Sequence, residues 1–240
     1  MQRILEPEVM NNLEEAIEYN EMDFSEVNRL FVTDLLAFAS KSFPSPIQSS
    51  STTTSDGLGN DVLDLGTGTA RIPVELCKQH PSVRVMASDA AIEMLELARY
   101  NIELAHLLDR VQLHHGDAKK LVFHKEYFDA VLSNSLIHHL PDCKDFFAEA
   151  LRVLRPNGIL FVRDLFRPEN ETEVERLVEL HAANENERSR QLFRQSLQAG
   201  YRINEITEII APLGIPADAI QMTSDRHWTL AYRKPTPAAL

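Results

Sequence analysis

The segment NDVLDLGTGTARIPVEL, residues 60–76, has the pattern of a strand, a glycine turn and a helix joined without a linker. Val62, Leu63 and Leu65 form the short apolar run that is typical of a strand buried on both faces. A tight turn follows at 66–68, and Pro73 falls in the first turn of the predicted helix, where its missing N–H costs little. This arrangement brings backbone N–H groups and a helix N-terminus close to a ligand.

The residues around the turn indicate which ligand it holds. A dinucleotide site prefers G-x-G-x-x-G, but the third small position is occupied here by Arg71. An acid, Asp64, precedes Gly66 and Gly68 and suits a ligand with a positive group, such as an amino-acid ammonium, better than a pyrophosphate. On this segment alone, a glycine turn in an unrelated α/β protein remains an alternative.

Composition narrows the class of protein. The 240 residues are 44% hydrophobic and 25% charged, as in ordinary globular proteins. The formal net charge of −12 disfavours a duplex nucleic-acid partner, which needs a basic footprint. Cys77 and Cys143 lie far apart in apolar helical patterns and are predicted to be buried thiols. With no signal-like N-terminus and no apolar run of membrane-spanning length, we expect a cytoplasmic protein.

The chain divides into an N-terminal part and an α/β domain. Helical stripes predict helices over 8–19 and 25–39, and the Ser/Thr/Pro-rich segment 44–60 predicts a linker. From Asp61 onward, strand patterns alternate with helix patterns, which indicates a parallel sheet with right-handed crossovers. The predicted strands are 62–65, 83–88, 111–114, 128–133, 159–162, 219–223 and 228–233, and the predicted helices are 70–77, 91–108, 142–154 and 204–210, with a turn at 155–158.

Polar side chains fall at successive strand ends, namely Asp64, Asp89, Asp117, Asn134 and Asp164. Ligands of open parallel sheets bind at the carboxyl ends of the strands, so these side chains are expected to meet at one edge. Asp89 is placed to receive ribose hydroxyls, and Asp117 to accept from an adenine amino group. A helix cap or turn explains any one of them equally well, but not the set.

The combined motifs resemble those of the class I S-adenosylmethionine-dependent methyltransferases, in the branch that includes quinone-biosynthesis enzymes. The resemblance is carried by VLDLGTGTA (62–70), VRVMASD (83–89), HHGDA (114–118), FDAVLSNSLIHHLPD (128–142) and LRVLRPNGILFVRD (151–164). It covers roughly residues 61–167. It implies an α/β fold: a doubly wound, Rossmann-like sheet of seven mostly parallel strands, one of them antiparallel, with helices on both faces and a helical lid.

The resemblance also implies a cofactor site. The expected S-adenosylmethionine contacts are Asp64, Gly66, Thr67, Gly68, Asp89, Ala90, Met94, Asp117, Ala118, Ser133 and Asn134. The turn would lie along the methionine part of the cofactor, with Asp64 near its ammonium. Asp89 would bind the ribose hydroxyls, and Asp117 and the Ala118 N–H would contact the adenine. Ser133 and Asn134 would line the path to the methyl sulfonium. Met94 is equally compatible with the core.

Candidates for the acceptor side follow the fourth and fifth strands. His138 and His139 are candidate bases, with packing under the cofactor as the alternative, and Asp164, Arg163 and Arg167 are candidate acceptor contacts, with surface pairing as the alternative. In the resembling proteins an insertion after the fifth strand covers the acceptor together with N-terminal helices. We therefore predict a lid from residues 1–43 and 168–200 on a domain spanning 61–240. Its candidate contacts are Tyr19, Phe24, Asn28 and Phe31, with core packing as the alternative.

Three functions remain open. A methyltransferase acting on a small molecule is favoured, because the stretch 133–136 lacks the Asn-Pro-Pro-aromatic motif of the base-modifying branch. A non-catalytic cofactor-binding regulator is compatible with the same acids, and a nicotinamide oxidoreductase is disfavoured by Arg71. No metal set is predicted, since His114, His115 and His124 lack suitable spacing. The expected oligomeric state is monomer or homodimer.

Overall fold

The structure is a computed structural model of the chain, and it describes residues 1–6, 16–17, 20, 24–41 and 57–236. The strands are β1 (Asp61–Leu65), β2 (Arg84–Asp89), β3 (Val111–His115), β4 (Phe128–Asn134), β5 (Leu154–Leu165), β6 (Ile220–Met222) and β7 (His227–Arg233). The α-helices are α1 (Ser25–Lys41), α2 (Arg71–Gln79), α3 (Ile92–Leu104), α4 (Lys144–Val153), α5 (Glu171–Ala182), α6 (Glu187–Ala199) and α7 (Ile203–Ile210).

The seven strands form one open sheet in the order β3-β2-β1-β4-β5-β7-β6. Strands β1 to β5 pair in parallel, and β7 runs antiparallel to both of its neighbours. The predicted fold class is therefore confirmed, including its one reversed strand. The strand order changes direction between β1 and β4, and a ligand crevice forms at the carboxyl ends of the strands beside such a point.

Both faces of the sheet are covered. Val62 belongs to a core cluster with residues of α1, α2 and α3, whereas Leu63 and Leu65 belong to a second cluster with residues of α4 and α7. Successive residues of a strand point to opposite faces. A strand that contributes to two cores therefore needs apolar residues on both faces, which Val62 provides on one face of β1 and Leu63 and Leu65 on the other.

The helix α1 is part of this core and not only of a lid. Phe31 is fully buried, and its ring meets that of Phe161 on β5 edge to face, with 5.2 Å between ring centroids. Phe31 is thus a packing residue, which was the alternative to a ligand contact. The predicted helix over 8–19 and the linker over 44–60 fall mostly outside the described residues.

Two further segments refine the sequence expectations. The predicted turn at 155–158 lies inside β5, where the pairing with β4 shifts register between Phe128 and Ala130 and Asn157 has a φ of 64°. The predicted strand was therefore too short, because a bulge carries turn residues without ending the strand. The insertion at 168–200 consists of two helices, α5 and α6, whose first turns are capped by the side chains of Asn170 and Asn186.

Two expectations from composition can be compared with the structure. Cys77 and Cys143 are both buried and unpaired, as predicted. No helix in the described ranges is long and apolar enough to cross a membrane.

Replacing Phe31 with alanine is expected to lower the free energy of unfolding by about 3–5 kcal/mol, because it removes a buried ring that joins α1 to the sheet. Leu30→Ala is the matched control on the same helix. Leu30 is 45% exposed, and its loss should change stability by no more than about 0.5 kcal/mol. Urea unfolding of the unaltered protein and the two variants measures the difference. Equal unfolding midpoints in all three would show that the Phe31–Phe161 contact does not stabilise the packing of α1 on the sheet.

Candidate functional site

A cavity of about 610 Å³ opens at the carboxyl ends of the central strands. Its size lies within the range of small-molecule sites. The predicted site residues that line it are Phe24, Asn28, Asp64, Gly66, Thr67, Gly68, Asp89, Ala90, Met94, Asp117, Ala118, Asn134, His138 and His139. Most of the predicted cofactor residues are therefore neighbours in space.

The glycine turn is held against the end of β2. The amides of Gly66 and Thr67 donate to the carbonyl oxygen of Ser88 over 2.9 and 3.0 Å. Gly66 has a φ of 70°, and a Cβ there would lie 2.9 Å from the side chain of Leu136. Only glycine meets both conditions without strain, so the turn lies closely against its surroundings.

Asp64 lies directly beneath the turn and is 2% exposed. The hydroxyl of Thr67 donates to its carboxylate over 2.7 Å. Burial raises the pKa of Asp64 to about 7, because the charged form loses solvation. A ligand cation beside this carboxylate would favour its charged form and be attracted in return.

Asp89 is fixed at the end of β2 by two backbone donors. The Gly68 amide donates to one carboxylate oxygen over 2.7 Å, and the Ala91 amide to the other over 2.9 Å. Burial raises the pKa of Asp89, and these backbone hydrogen bonds oppose the rise. Each oxygen retains acceptor capacity, so the carboxylate can accept from a vicinal diol while it holds the turn.

Asp117 makes the contacts of a turn residue. Its carboxylate accepts from the Lys119 amide over 2.8 Å and lies 3.3 Å from the Lys119 ammonium. The side chain is about half exposed, and both Asp117 and Ala118 line the cavity. The adenine contact predicted for them therefore stays a prediction.

The two residues at the end of β4 differ in position. Asn134 lines the cavity, whereas Ser133 is fully buried and its hydroxyl donates to the Leu65 carbonyl over 2.9 Å. The expectation that Ser133 lines the path to the sulfonium is therefore corrected. Its hydroxyl joins the end of β4 to the end of β1.

The histidine pair lies at the far side of the cavity from Asp89. His138 is buried, with Nδ1 2.5 Å from a carboxylate oxygen of Asp164 and Nε2 3.2 Å from Glu6. The Nδ1 atom of His139 lies 3.1 Å from the same oxygen of Glu6. Burial lowers the pKa of His138, but the carboxylates of Asp164 and Glu6 outweigh it, so the net pKa is raised.

Asp164 positions this pair from behind. Burial raises the pKa of its carboxyl, but the charge of His138 and hydrogen bonds from His138, Leu165 and Ile137 outweigh it and lower the net pKa. Asp164 is therefore a buried anion that fixes His138. It does not line the cavity, which corrects its predicted role as an acceptor contact.

Arg163 and Arg167 also lie behind the cavity wall. Arg163 bonds to Thr229 over 2.8 Å and pairs with Asp34 of α1 over 2.6 Å. Arg167 pairs with Glu205 of α7 over 2.6 Å. Both guanidinium groups are buried and support the fold, which corrects their expected role in acceptor binding. Tyr19 lies outside the described residues.

The sequence placed residues 1–43 in a lid but did not indicate Arg3, Glu6 or Asn20 as residues that contact the site. Arg3 donates to the carbonyl oxygens of His138, Leu140 and Pro141, and so places Glu6 beside the histidines. Asn20 similarly accepts from Arg71, the first residue of α2. No local signal indicates such contacts, since their partners lie far along the chain.

The outer wall of the cavity comes from the end of β5, from α5, α6 and the residues between them, and from the segment at the start of β7. Its side chains are Leu165, His181, Ala182, Glu185, Ser189, Leu192, Phe193, Ser196, Arg226 and His227. The wall is mixed, with apolar groups beside hydroxyl and charged groups. Periodicity predicted helices here, but it did not indicate which helix face lines a cavity.

A mostly parallel sheet of this strand order, with a glycine turn over one buried acid and beside a second acid, is the arrangement that the resemblance to the class I S-adenosylmethionine-dependent methyltransferases implies. The comparisons agree. The family model described as a methyltransferase domain matches residues 63–162, from β1 through most of β5. Residues 63–162 are therefore similar to a methyltransferase domain.

Curated relatives match the same region. A demethylmenaquinone methyltransferase from Lactobacillus johnsonii is 34% identical over 113 residues, which are 47% of this chain and 46% of the relative. A malonyl-[acyl-carrier protein] O-methyltransferase from Xylella fastidiosa is 32% identical over 128 residues, 53% of this chain and 40% of the relative. The chain thus spans less than half the length of these relatives.

Solved structures share the fold over nearly the whole chain. A SAM-dependent methyltransferase from Aquifex aeolicus aligns with a TM-score of 0.64 at 17% identity, covering 92% of this chain and 98% of its own. A plantazolicin methyltransferase, solved with a monoazolic desmethylPZN analog and S-adenosylhomocysteine (SAH), aligns with a TM-score of 0.67 at 12% identity, covering 93% of this chain and 90% of its own.

Replacing Asp89 with alanine is expected to weaken SAH binding by about 1–3 kcal/mol, because the ribose loses its charged acceptor. Calorimetric titration measures the change. Asp109→Ala, which removes an exposed acid in the turn between α3 and β3, is the control and should bind as the unaltered protein does. Unchanged affinity in a folded Asp89→Ala protein would show that the ribose does not bind Asp89.

Asp64 predicts a pH dependence. The pKa of Asp64 is about 7 in the folded protein, above the ordinary value of 3.8, because the folded state favours the neutral acid. Between about pH 4 and pH 7 the unfolded chain therefore ionises this group first. The contribution of Asp64 to the free energy of unfolding falls as the pH rises through that range. An ammonium group bound beside Asp64 favours the charged form instead. SAH should therefore bind about tenfold more tightly at pH 8 than at pH 6. In Asp64→Asn this dependence should vanish, and a flat profile in the unaltered protein would contradict the assignment.

Proposed function

We propose that this protein transfers a methyl group from S-adenosylmethionine to a small-molecule acceptor. The observation that carries the proposal is that one cavity contains both the Asp64–Asp89 end and the His138–His139 end. The cofactor fits the first end by charge and hydrogen-bonding capacity, and the second end supplies polar groups where an acceptor would meet the methyl group.

The cofactor is proposed to lie across the ends of β1, β2 and β3. Its ammonium group is placed at Asp64, its carboxylate at the N-terminus of α2, and its ribose at Asp89. The adenine is placed at Asp117 and Ala118, with Ala90 and Met94 beside it. When bound, the cofactor supplies an electrophilic methyl group on a sulfonium, so the protein's own task is alignment and the exclusion of water.

The acceptor is proposed to lie between Asn134, the histidine pair and the outer wall. Leu192 and Phe193 offer apolar contact there, whereas Ser189 and Ser196 offer hydroxyl groups. Such a wall suits a partly apolar molecule that carries a polar reacting group. Residues 1–43 and 168–200 are proposed to form the lid, which the positions of Glu6, Phe24 and α6 support.

The histidine pair is proposed to take part in catalysis from the cavity wall beside the reacting group of the acceptor. Asp164 fixes the imidazole of His138 through one ring nitrogen, Nδ1. The backbone turn at 137–139 places both histidine side chains at the cavity. A reacting group held in line with the methyl group gains the advantage of proximity and orientation.

Other partner classes are less well supported. The net charge of −12 and the sequence 133–136 disfavour nucleic acid as the acceptor. The relatives named above act on a demethylmenaquinone and on a malonyl-carrier protein, as their names state, and neither acceptor is assigned to this chain. The buried, unpaired thiols of Cys77 and Cys143 support a cytoplasmic location. A monomer or a homodimer remains the expected state.

Two alternatives make different predictions. A regulator of this fold would bind the cofactor without turnover. A nicotinamide oxidoreductase would bind NAD. The carboxylate of Asp64 disfavours a pyrophosphate beside it, and Arg71 stands where the dinucleotide fingerprint needs a small residue.

Calorimetric titration of the full chain with SAH, with NAD as the control ligand, separates these functions. Binding of SAH alone is expected, followed by transfer of label from a labelled methyl donor to an acceptor in a small-molecule panel. Binding of NAD alone would overturn the proposal. Turnover unchanged by His139→Ala would remove the histidine from the reaction and leave the cofactor site in place.

A further inference from the structure

The side chains of Glu6, His138 and His139 converge on one point at the cavity wall. Within the described residues they form a set of three metal-ligating groups whose donor atoms all lie within 4.8 Å of one another. One oxygen of Glu6 lies 3.2 Å from Nε2 of His138 and 3.1 Å from Nδ1 of His139. We infer that these three side chains bind a divalent transition-metal ion of the zinc type.

The distances match a tetrahedral centre. With bonds of about 2.0–2.1 Å to nitrogen and oxygen, two ligands of a tetrahedral ion lie about 3.3 Å apart. The two Glu6–histidine separations are close to this value before any movement. Two imidazoles and one carboxylate also form a donor set that zinc accepts at sites with an open position.

The charges around His138 favour a divalent ion. Glu6 and Asp164 are both almost fully buried and face this imidazole from opposite sides. One imidazolium offsets only one of the two carboxylates, whereas a divalent cation offsets both. The guanidinium of Arg3 lies nearby, but its hydrogen bonds go to the carbonyl oxygens of Ala199, Pro141, His138 and Leu140.

Asp164 supplies the outer support that such a site needs. Histidines that bind a metal usually donate their other ring nitrogen to a carboxylate or a carbonyl, which fixes the tautomer and the ring orientation. Nδ1 of His138 lies 2.5 Å from Asp164, so its Nε2 is directed toward Glu6 as a ligand. Asp164 in turn accepts from the backbone amides of Ile137 and Leu165.

The site is open to the cavity, since His138 and His139 both line it. A fourth ligand therefore comes from the cavity, either water or an oxygen atom of a bound molecule. If the proposed methyl transfer holds, this ion selects acceptors that carry a hydroxyl or enol oxygen. That selection rests on the proposed function, whereas metal binding itself does not.

The test is titration of the full-length, chelator-treated protein with Co²⁺, followed by absorption spectroscopy and by competition with Zn²⁺. One ion per chain is expected, with the intense visible bands of four-coordinate Co²⁺ and their loss when Zn²⁺ is added. This readout needs neither cofactor nor turnover, so its failure and that of the proposed function are distinguishable. No binding by folded protein would overturn the inference.

Variants locate the ion. Glu6→Gln keeps the size and hydrogen bonding of the side chain but removes its charge, and His139→Ala removes one imidazole. Each should weaken Co²⁺ binding by at least about tenfold. His124→Ala removes an exposed imidazole outside the cavity and should bind Co²⁺ as the unaltered protein does. Affinity unchanged in either folded site variant would place the ion elsewhere and overturn the assignment.

Discussion

The carboxylate of Asp89 joins the two strand ends on which the cavity depends. It accepts from the Gly68 amide on the turn after β1 and from the Ala91 amide that precedes α3. Together with the hydrogen bonds from Gly66 and Thr67 to Ser88, these contacts fix the turn to the end of β2. The crevice beside β1 therefore has a rigid floor, with the buried acid Asp64 beneath it.

The far side of the cavity is built differently. Its groups come from chain segments that are distant in sequence, and hydrogen bonds from Arg3 to main-chain carbonyls hold the N-terminal residues in place. Met1 extends this contact, because its ammonium bonds to the carbonyl of Glu169 before α5. A cavity side assembled from short segments such as 1–6 and 171–199 can differ between proteins that share the same sheet.

Much of the sheet and of the cofactor half was predictable, because their signals are local. An apolar run, a glycine turn and an acid at the strand end lie within a few residues of one another, and Asp64 and Asp89 illustrate this.

The orientation of side chains along β5 was not predictable in the same way. Arg163 and Asp164 are adjacent and point to opposite faces, so one pairs with Asp34 of α1 and the other with His138. Ser133 was misplaced for the same reason, and Glu6 was missed because its partners lie more than 130 residues away.

The decisive experiment is a crystal structure of this chain with bound SAH. We expect the ribose hydroxyls on the carboxylate of Asp89, the ammonium beside Asp64, and the sulfur directed toward Asn134 and the histidine pair. A ligand bound at the other edge of the sheet, or one with its ribose away from Asp89, would show that the cofactor does not bind at the glycine turn.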